Sequence, residues 1–194
     1  MGIWKLMSKI SNIMYCKKIQ YRYQLKSKVC VKKPFIMIGE QFISLGRDFC
    51  ADKDVRIEAW ESRGGEKYNP NIVIGRNAFI NTGTHISAIC SLKIGDNFLA
   101  GSYVSIIDND HGQSNTIEEL KKAPQERKLY SKGAITIGNN VWVGDKACIF
   151  GGVTIGNGVV IGANAIVTHD IPDYSVAVGN PARVIKMISR DNEI

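Results

Sequence analysis

Three histidines, His85, His111 and His169, are the side chains of this 194-residue chain best suited to moving a proton near neutral pH, because imidazole ionises close to it. They stand 26 and 58 residues apart, intervals that do not suggest a shared metal site. His111 differs from the other two in its surroundings. It opens the polar, charge-rich stretch IDNDHGQSNTIEELKKAPQERKLYSKG, and long loops in compact folds commonly carry function. As chemistry, an imidazole at the root of such a loop is a general base for a hydroxyl. As plain structure, it is an incidental loop residue, followed by a short solvated helix at Glu118, Glu119, Lys121 and Lys122. Asp108 and Asp110 either orient the ring or turn the chain. Five cysteines (Cys16, Cys30, Cys50, Cys90 and Cys148) form no CxxC pair and predict reduced thiols in a cytosolic protein, with Cys90 and Cys148 as small buried fillers.

The element that must position this loop is a repeat. From Ala134 to Lys186, Ile137, Val143, Ile149, Ile155, Ile161 and Val167 recur every sixth residue. Four residues after each comes Val141, Ala147, Val153, Val159, Ala165 or Ile171. A period of six fits neither a helix nor an alternating strand. It fits a solenoid in which each unit supplies a short strand and a corner, and stacking buries both apolar positions. Asn139, Asn140, Gly151, Gly152, Asn157, Gly158 and Asn164 are residues that enter the left-handed backbone region at low cost, which suits corners and argues against packed helices.

Upstream, Ile74, Ile80 and Ile86 keep the period, which re-registers by two at Ile94, Ala100 and Ile106; a corner between Ala88 and Lys93 must therefore hold extra residues. The repeat is worn between Phe35 and Trp60, where Ile38-Gly39 and Leu45-Gly46 read as first coils, and the polar stretch 61–71 reads as an ejected loop. Three segments follow: 1–33, a solenoid domain 34–186 with loop 112–133 inserted, and a tail 187–194.

Composition, 44% apolar and 22% charged, is that of a folded soluble chain, and no run of about 18 apolar residues predicts a membrane span. The net charge of +7 is local. Residues 1–33 hold eight Lys and one Arg with no acid, whereas the remainder holds 16 basic and 18 acidic residues. Ile3, Leu6, Met7, Ile10, Ile13 and Met14 have helical spacing there, between Lys5, Ser8, Lys9 and Asn12. Such a helix either packs on the solenoid or a neighbouring subunit, capping an open coil, or lies on an anionic membrane. It lacks the uninterrupted apolar run and cleavage site of a signal peptide, and no motif accompanies the charge to indicate nucleic acid.

The span Ile72 to Lys186, above all its ending VGNPARVIK, resembles the hexapeptide-repeat acyltransferases. It resembles in particular the maltose/galactoside acetyltransferase group and the related O-acetyltransferases of bacterial surface polysaccharides. It implies an all-β, left-handed parallel β-helix with three hexads per coil, assembled as a homotrimer. It also implies acetyl-CoA as cosubstrate, no metal, and a sugar or oligosaccharide acceptor such as an O-antigen or capsule precursor. By the same resemblance His111 is the catalytic base, and Asn81 in FINTGT, thirty residues earlier, is its active-site partner. Trp142 flanks the cofactor or packs between subunits. Gly144 and Ala163 would meet the pantetheine arm in a groove between subunits, and Thr168 and Arg183 the phosphate end, where a guanidinium suits phosphate. IVTHDIP departs from the group's IVTKDIP, placing His169 where a lysine would meet phosphate. The group's N-terminal domain is also not recognisable in 1–33, which favours the polysaccharide branch and a cytoplasmic enzyme working beside the inner membrane face. Amino-sugar N-acetylation is the alternative within this fold. A γ-type carbonic anhydrase and a non-catalytic scaffold stand below it.

Overall fold

The computed structural model describes residues 3–188, with the side chains of 3–6 and 8 outside the described set. One helix, α1 (Ile3–Arg22), leads into a three-faced parallel coil. Each turn lays one short strand on each face in order, as in Phe79–Ile80, His85–Ala88 and Ser91–Ile94. The first face has eight strands, seven parallel from Val29–Val31 to Ser175–Val178 and a closing antiparallel one, Arg183–Met187; the second has six and the third five. The first strand lies inside the segment 1–33 set apart by charge: Val29–Val31 already pairs with Phe49–Ala51.

Strands this short hold because every turn sits in register on the next and buries its alternate side chains. All twelve periodic residues from Ile137 to Ile171 are buried, so the period of six is the core. Ile137 pairs with Ile155 and Ile149 with Val167, eighteen residues on, whereas Ile74 pairs with Ile94 and Ile86 with Ile106, twenty on. The extra pair is Ile89-Cys90, in the corner where the re-registering predicted it. In the worn first turns the phase differs from expectation by one residue. Met37 points inward and Ile38 outward, because Phe35 and Met37 alternate into the core from the strand Phe35–Ile38.

The corners follow their residue types. Asn77, Asn97 and Asn140 adopt φ of 55°, 58° and 56° and stack, Asn77 Nδ2 donating to Asn97 Oδ1 at 2.9 Å and Asn97 Nδ2 to Asn140 Oδ1 at 2.8 Å. Helix α1 closes the open first coil with its C-terminal half: Ile19 and Tyr23 are buried, Tyr15 Oη accepts from Phe35 N–H at 2.9 Å, and Tyr23 Oη accepts from Met37 N–H at 3.2 Å. The stripe read from helical spacing is not the face that packs on the coil. Met7, Ile10, Ile13 and Met14 are exposed because the docked face is built from residues 15, 16, 19 and 23; Ile3 and Leu6 of that stripe lie outside the described side chains. No described helix is long and apolar enough to cross a membrane.

Candidate functional site

His111 stands where the coil opens into its long loop. The second-face strand Ser105–Ile107 runs on to Asp110–His111, which pairs antiparallel with Leu129–Tyr130, the returning end of the loop. Between them Thr116 caps a four-residue helix (Ile117–Leu120) by accepting from Glu119 N–H at 3.2 Å. Arg127 ties the loop back on itself, donating to the carbonyls of Lys122 and Leu120 at 3.1 and 3.0 Å. This fold-back sets the imidazole. His111 Nδ1 lies 3.2 Å from the carbonyl oxygen of Pro124. A carbonyl can only accept, so Nδ1 carries the proton of that bond, and in the neutral ring Nε2 is the nitrogen with the lone pair; the residue is exposed.

Asp108 does not orient that ring. It is buried, its two oxygens accept from Ile89 and Cys90 N–H at 2.8 Å each, and Asn109 bridges it to Ser87. Burial pushes its carboxyl up, against the opposing pull of those amides. The carboxylate clamps the two-residue corner inserted one turn earlier, because without it two amides near the interior would lack acceptors.

The other two histidines are engaged differently. Arg56 donates to His85 Nδ1 at 3.3 Å, so His85 Nε2–H donates to Glu58 at 3.0 Å, and no nitrogen is left open. The His85 hydrogen bond holds the Glu58 carboxyl below its ordinary range, against the opposing effect of burial. His169 Nδ1 lies 2.9 Å from Thr168 Oγ1. Among the described residues no three His, Cys, Asp or Glu side chains gather as a metal site. The filler role expected of Cys90 and Cys148 is corrected. Both are half-buried: Cys148 points outward beside Ser105, because Ile149 takes the inward position, and Cys90 belongs to the clamped corner.

The remaining expected site residues fall on two edges of the second face. Asn81, Gly144 and Ala163 follow one another up its leading edge: Asn81 N–H bonds Ala100 O, Gly101 N–H bonds Val143 O, and Gly144 N–H bonds Ile161 O. Asn81 Nδ2 also donates to Ala100 O, at 2.9 Å. Gly144 is buried with its amide engaged, and a Cβ there would meet Ala163 N at 2.6 Å; Ala163 itself is exposed. Trp142 projects from the first face beside Leu99 and Val160, half exposed, and Arg183 is exposed where the closing strand pairs with Val178. His111 and Thr168 lie at the trailing edge. The strand Ser105–Ile107 runs between the two edges, and the Asn81 side chain bonds Ala100 O while the His111 ring bonds Pro124 O, so no hydrogen bond joins the two.

Sequence spacing did not show the Arg56, Glu58, His85 cluster or Tyr68, whose Oη accepts from Leu129 N–H at 3.0 Å and joins the loop 61–71 to the loop of His111. Lys128 and Glu66 make a second tie, at 2.6 Å. The two polar interruptions, both on the trailing side of the second face, were the signal that they could meet.

The bacterial transferase hexapeptide (six repeats) family matches residues 134–169. Galactoside O-acetyltransferase of Escherichia coli (strain K12) is 36% identical over 173 residues, 89% of this chain and 77% of that protein. WbbJ of the same strain, provisionally named a lipopolysaccharide biosynthesis O-acetyl transferase, is 30% identical over 166 residues, 84% of this chain and 81% of its own. Among solved structures, a galactoside acetyltransferase in complex with coenzyme A is 31% identical with a TM-score of 0.57, over 87% of this chain and 66% of that one. AntD, an N-acyltransferase from Bacillus cereus, has a TM-score of 0.71 over 90% of this chain and 89% of its own at 20% identity, a likeness of fold alone.

Proposed function

The chain belongs to the bacterial transferase hexapeptide family, and from that premise we propose that it transfers an acetyl group from acetyl-CoA to a sugar hydroxyl. Its coil is the left-handed parallel β-helix of that family. The observation that carries the reading is the hydrogen bond of His111 Nδ1 with the Pro124 carbonyl at 3.2 Å, which leaves Nε2 without a partner among the described residues. An open Nε2 is what a general base needs. It takes the hydroxyl proton as the acceptor oxygen bonds to the thioester carbonyl carbon. The carbon–sulfur bond then breaks, and the imidazolium returns the proton to the departing sulfur, leaving an acetyl ester and CoA. No acetyl-enzyme forms.

The placement of the remaining residues supports a site shared between copies. Asn81, Trp142, Ala163 and Arg183 line one edge and His111 and Thr168 the other, so the trailing edge of one protomer against the leading edge of the next would assemble the set, as a homotrimer allows. Acetyl-CoA would lie in that groove, its phosphates near Arg183. Gly144 would serve by letting coils approach closely, and Asn81 would orient the acceptor. The O-acetyl relatives at 30% and 36% identity favour a hydroxyl acceptor, and the lipopolysaccharide name of the former favours a surface glycan or its precursor, modified on the cytoplasmic side.

The test is release of CoA thiol from acetyl-CoA with matched hydroxyl and amino sugars, with and without His111→Gln. The expected result is turnover on hydroxyl acceptors, giving a hydroxylamine-labile ester, and a loss of about 10²–10⁴-fold in kcat for the variant with little change in KM. Turnover confined to amino sugars would move the reading to N-acetylation, and an undiminished His111→Gln would remove the base. Calorimetry of acetyl-CoA on the wild type and Arg183→Ala tests the donor independently; absence of binding at millimolar cofactor would end the acetyltransfer reading.

A further inference from the structure

We infer that the outer face of α1 is a docking surface for an anionic lipid bilayer. At about 100° per residue, Met7, Ile10, Met14, Lys17 and Tyr21 fall within an arc of about 80° on the side of the helix away from Ile19. The packed side is the one carrying Tyr15, Ile19 and Tyr23. Met7, Ile10, Met14 and Tyr21 are 61%, 49%, 66% and 88% exposed, and Ile13, on the shoulder of the arc, is 49% exposed. A helix that only capped the coil would carry polar residues there, since exposing four large apolar side chains on one stripe gains nothing in water.

The charges around the stripe name the occupant. Lys9, Lys17, Lys18 and Arg22 are exposed on the helix, and Lys26, Lys28, Lys32 and Lys33 follow it, with no acid before residue 34. Of these Lys32 is paired, with Asp52 at 3.0 Å, while Lys33 lies over the Tyr15 ring at 5.2 Å. Along the outer side of the helix an open hollow has Met7, Ile10, Met14 and Tyr15 on its walls, with Lys18 and Lys33 beside them. Apolar side chains flanked by ammonium groups match the acyl boundary and phosphates of a bilayer. A second copy of this chain is a weaker electrostatic match, because residues 34–194 carry only a slight acidic excess, 18 acidic against 16 basic side chains. The stripe points away from the coil, so the bilayer would meet the first-coil end of the molecule while the loop of His111 stays clear of it. The inference is independent of the acetyl-transfer reading.

The experiment is co-sedimentation of the full chain with vesicles of phosphatidylcholine alone or with about one-third phosphatidylglycerol, at about 0.1 M salt and at several-fold more. The chain is expected to pellet with the anionic vesicles only, and less at high salt. Ile10→Glu with Met14→Glu should lower partitioning at least 100-fold, and Lys17→Glu with Lys18→Glu by about fivefold or more for each charge reversed. Because these side chains are exposed, urea midpoints should not move; Ile10→Ser with Met14→Ser serves if the acidic pair disturbs folding. Failure of the wild type to bind anionic vesicles overturns the inference. So does a drop in oligomer size on light scattering for the stripe variants, which would make the stripe a subunit contact.

Discussion

Replacing Asp108 by alanine removes both acceptors of the Ile89-Cys90 corner at once. Each backbone N–H now lies 2.8 Å from a carboxylate oxygen, and Asp108 is 2% exposed and Ile89 6%. A hydrogen bond to a charged group contributes roughly 1.5–3 kcal/mol, and a buried donor left without a partner costs about 1–3 kcal/mol. Relief of the cost of burying the carboxylate offsets part of this, and Cys90 is only half-buried, so its amide can reach water. The expected loss is about 3–5 kcal/mol, a large share of the roughly 5–15 kcal/mol that stabilises a folded chain. Asp108→Asn should retain about half, since one amide keeps an oxygen while the other meets the new NH₂. The assay is urea unfolding at fixed protein concentration, because any oligomer makes the midpoint depend on it. His111 stands three residues downstream, so turnover should fall with stability in both variants. A loss below about 1 kcal/mol for Asp108→Ala would refute the clamp and mean that the corner is held by its neighbours.

Gly144→Ala would drive a methyl into Ala163 N at 2.6 Å, a backbone atom that cannot swing aside; the expected cost is about 1–3 kcal/mol, read as a lower unfolding midpoint. Glu58 has its folded pKa lowered by the His85 hydrogen bond, so its contribution is present above the ordinary value of 4.5 and is lost as pH falls through the depressed folded value. Midpoints measured downward from about pH 5 should therefore fall more steeply in the wild type than in Glu58→Gln, and parallel curves would refute the pair. Burial, reinforced by the neighbouring Cys30, pushes the Cys50 thiol up to about 11, while Cys30 is exposed. Iodoacetamide near pH 8 should alkylate Cys30 well before Cys50, as peptide mapping would show, because only the thiolate reacts.

The sixfold spacing of Ile137 to Val167 determined the coil by itself, because the rule it obeys is local: every sixth side chain must point inward whatever else the turn contains. The two-residue slip between Ile86 and Ile94 likewise located the Ile89-Cys90 corner, and the polar runs 61–71 and 112–133 marked where chain leaves the coil. His111 stood out by position. Its tautomer did not, since that depends on Pro124, thirteen residues on, folding back within hydrogen-bond reach. Asp108 shows the same limit: an aspartate near a histidine reads as its partner, yet its oxygens are claimed by amides eighteen and nineteen residues earlier, one turn below. The helix shows it for packing. Its apolar stripe was legible from helical spacing, but the side that docks follows from which residues fit over Val31, Phe35 and Met37 at the open end of the first coil. Periodicity is repeated along the chain and so is written in it; the partner of a single polar group is met once, across a turn of the coil, and only the folded chain supplies it.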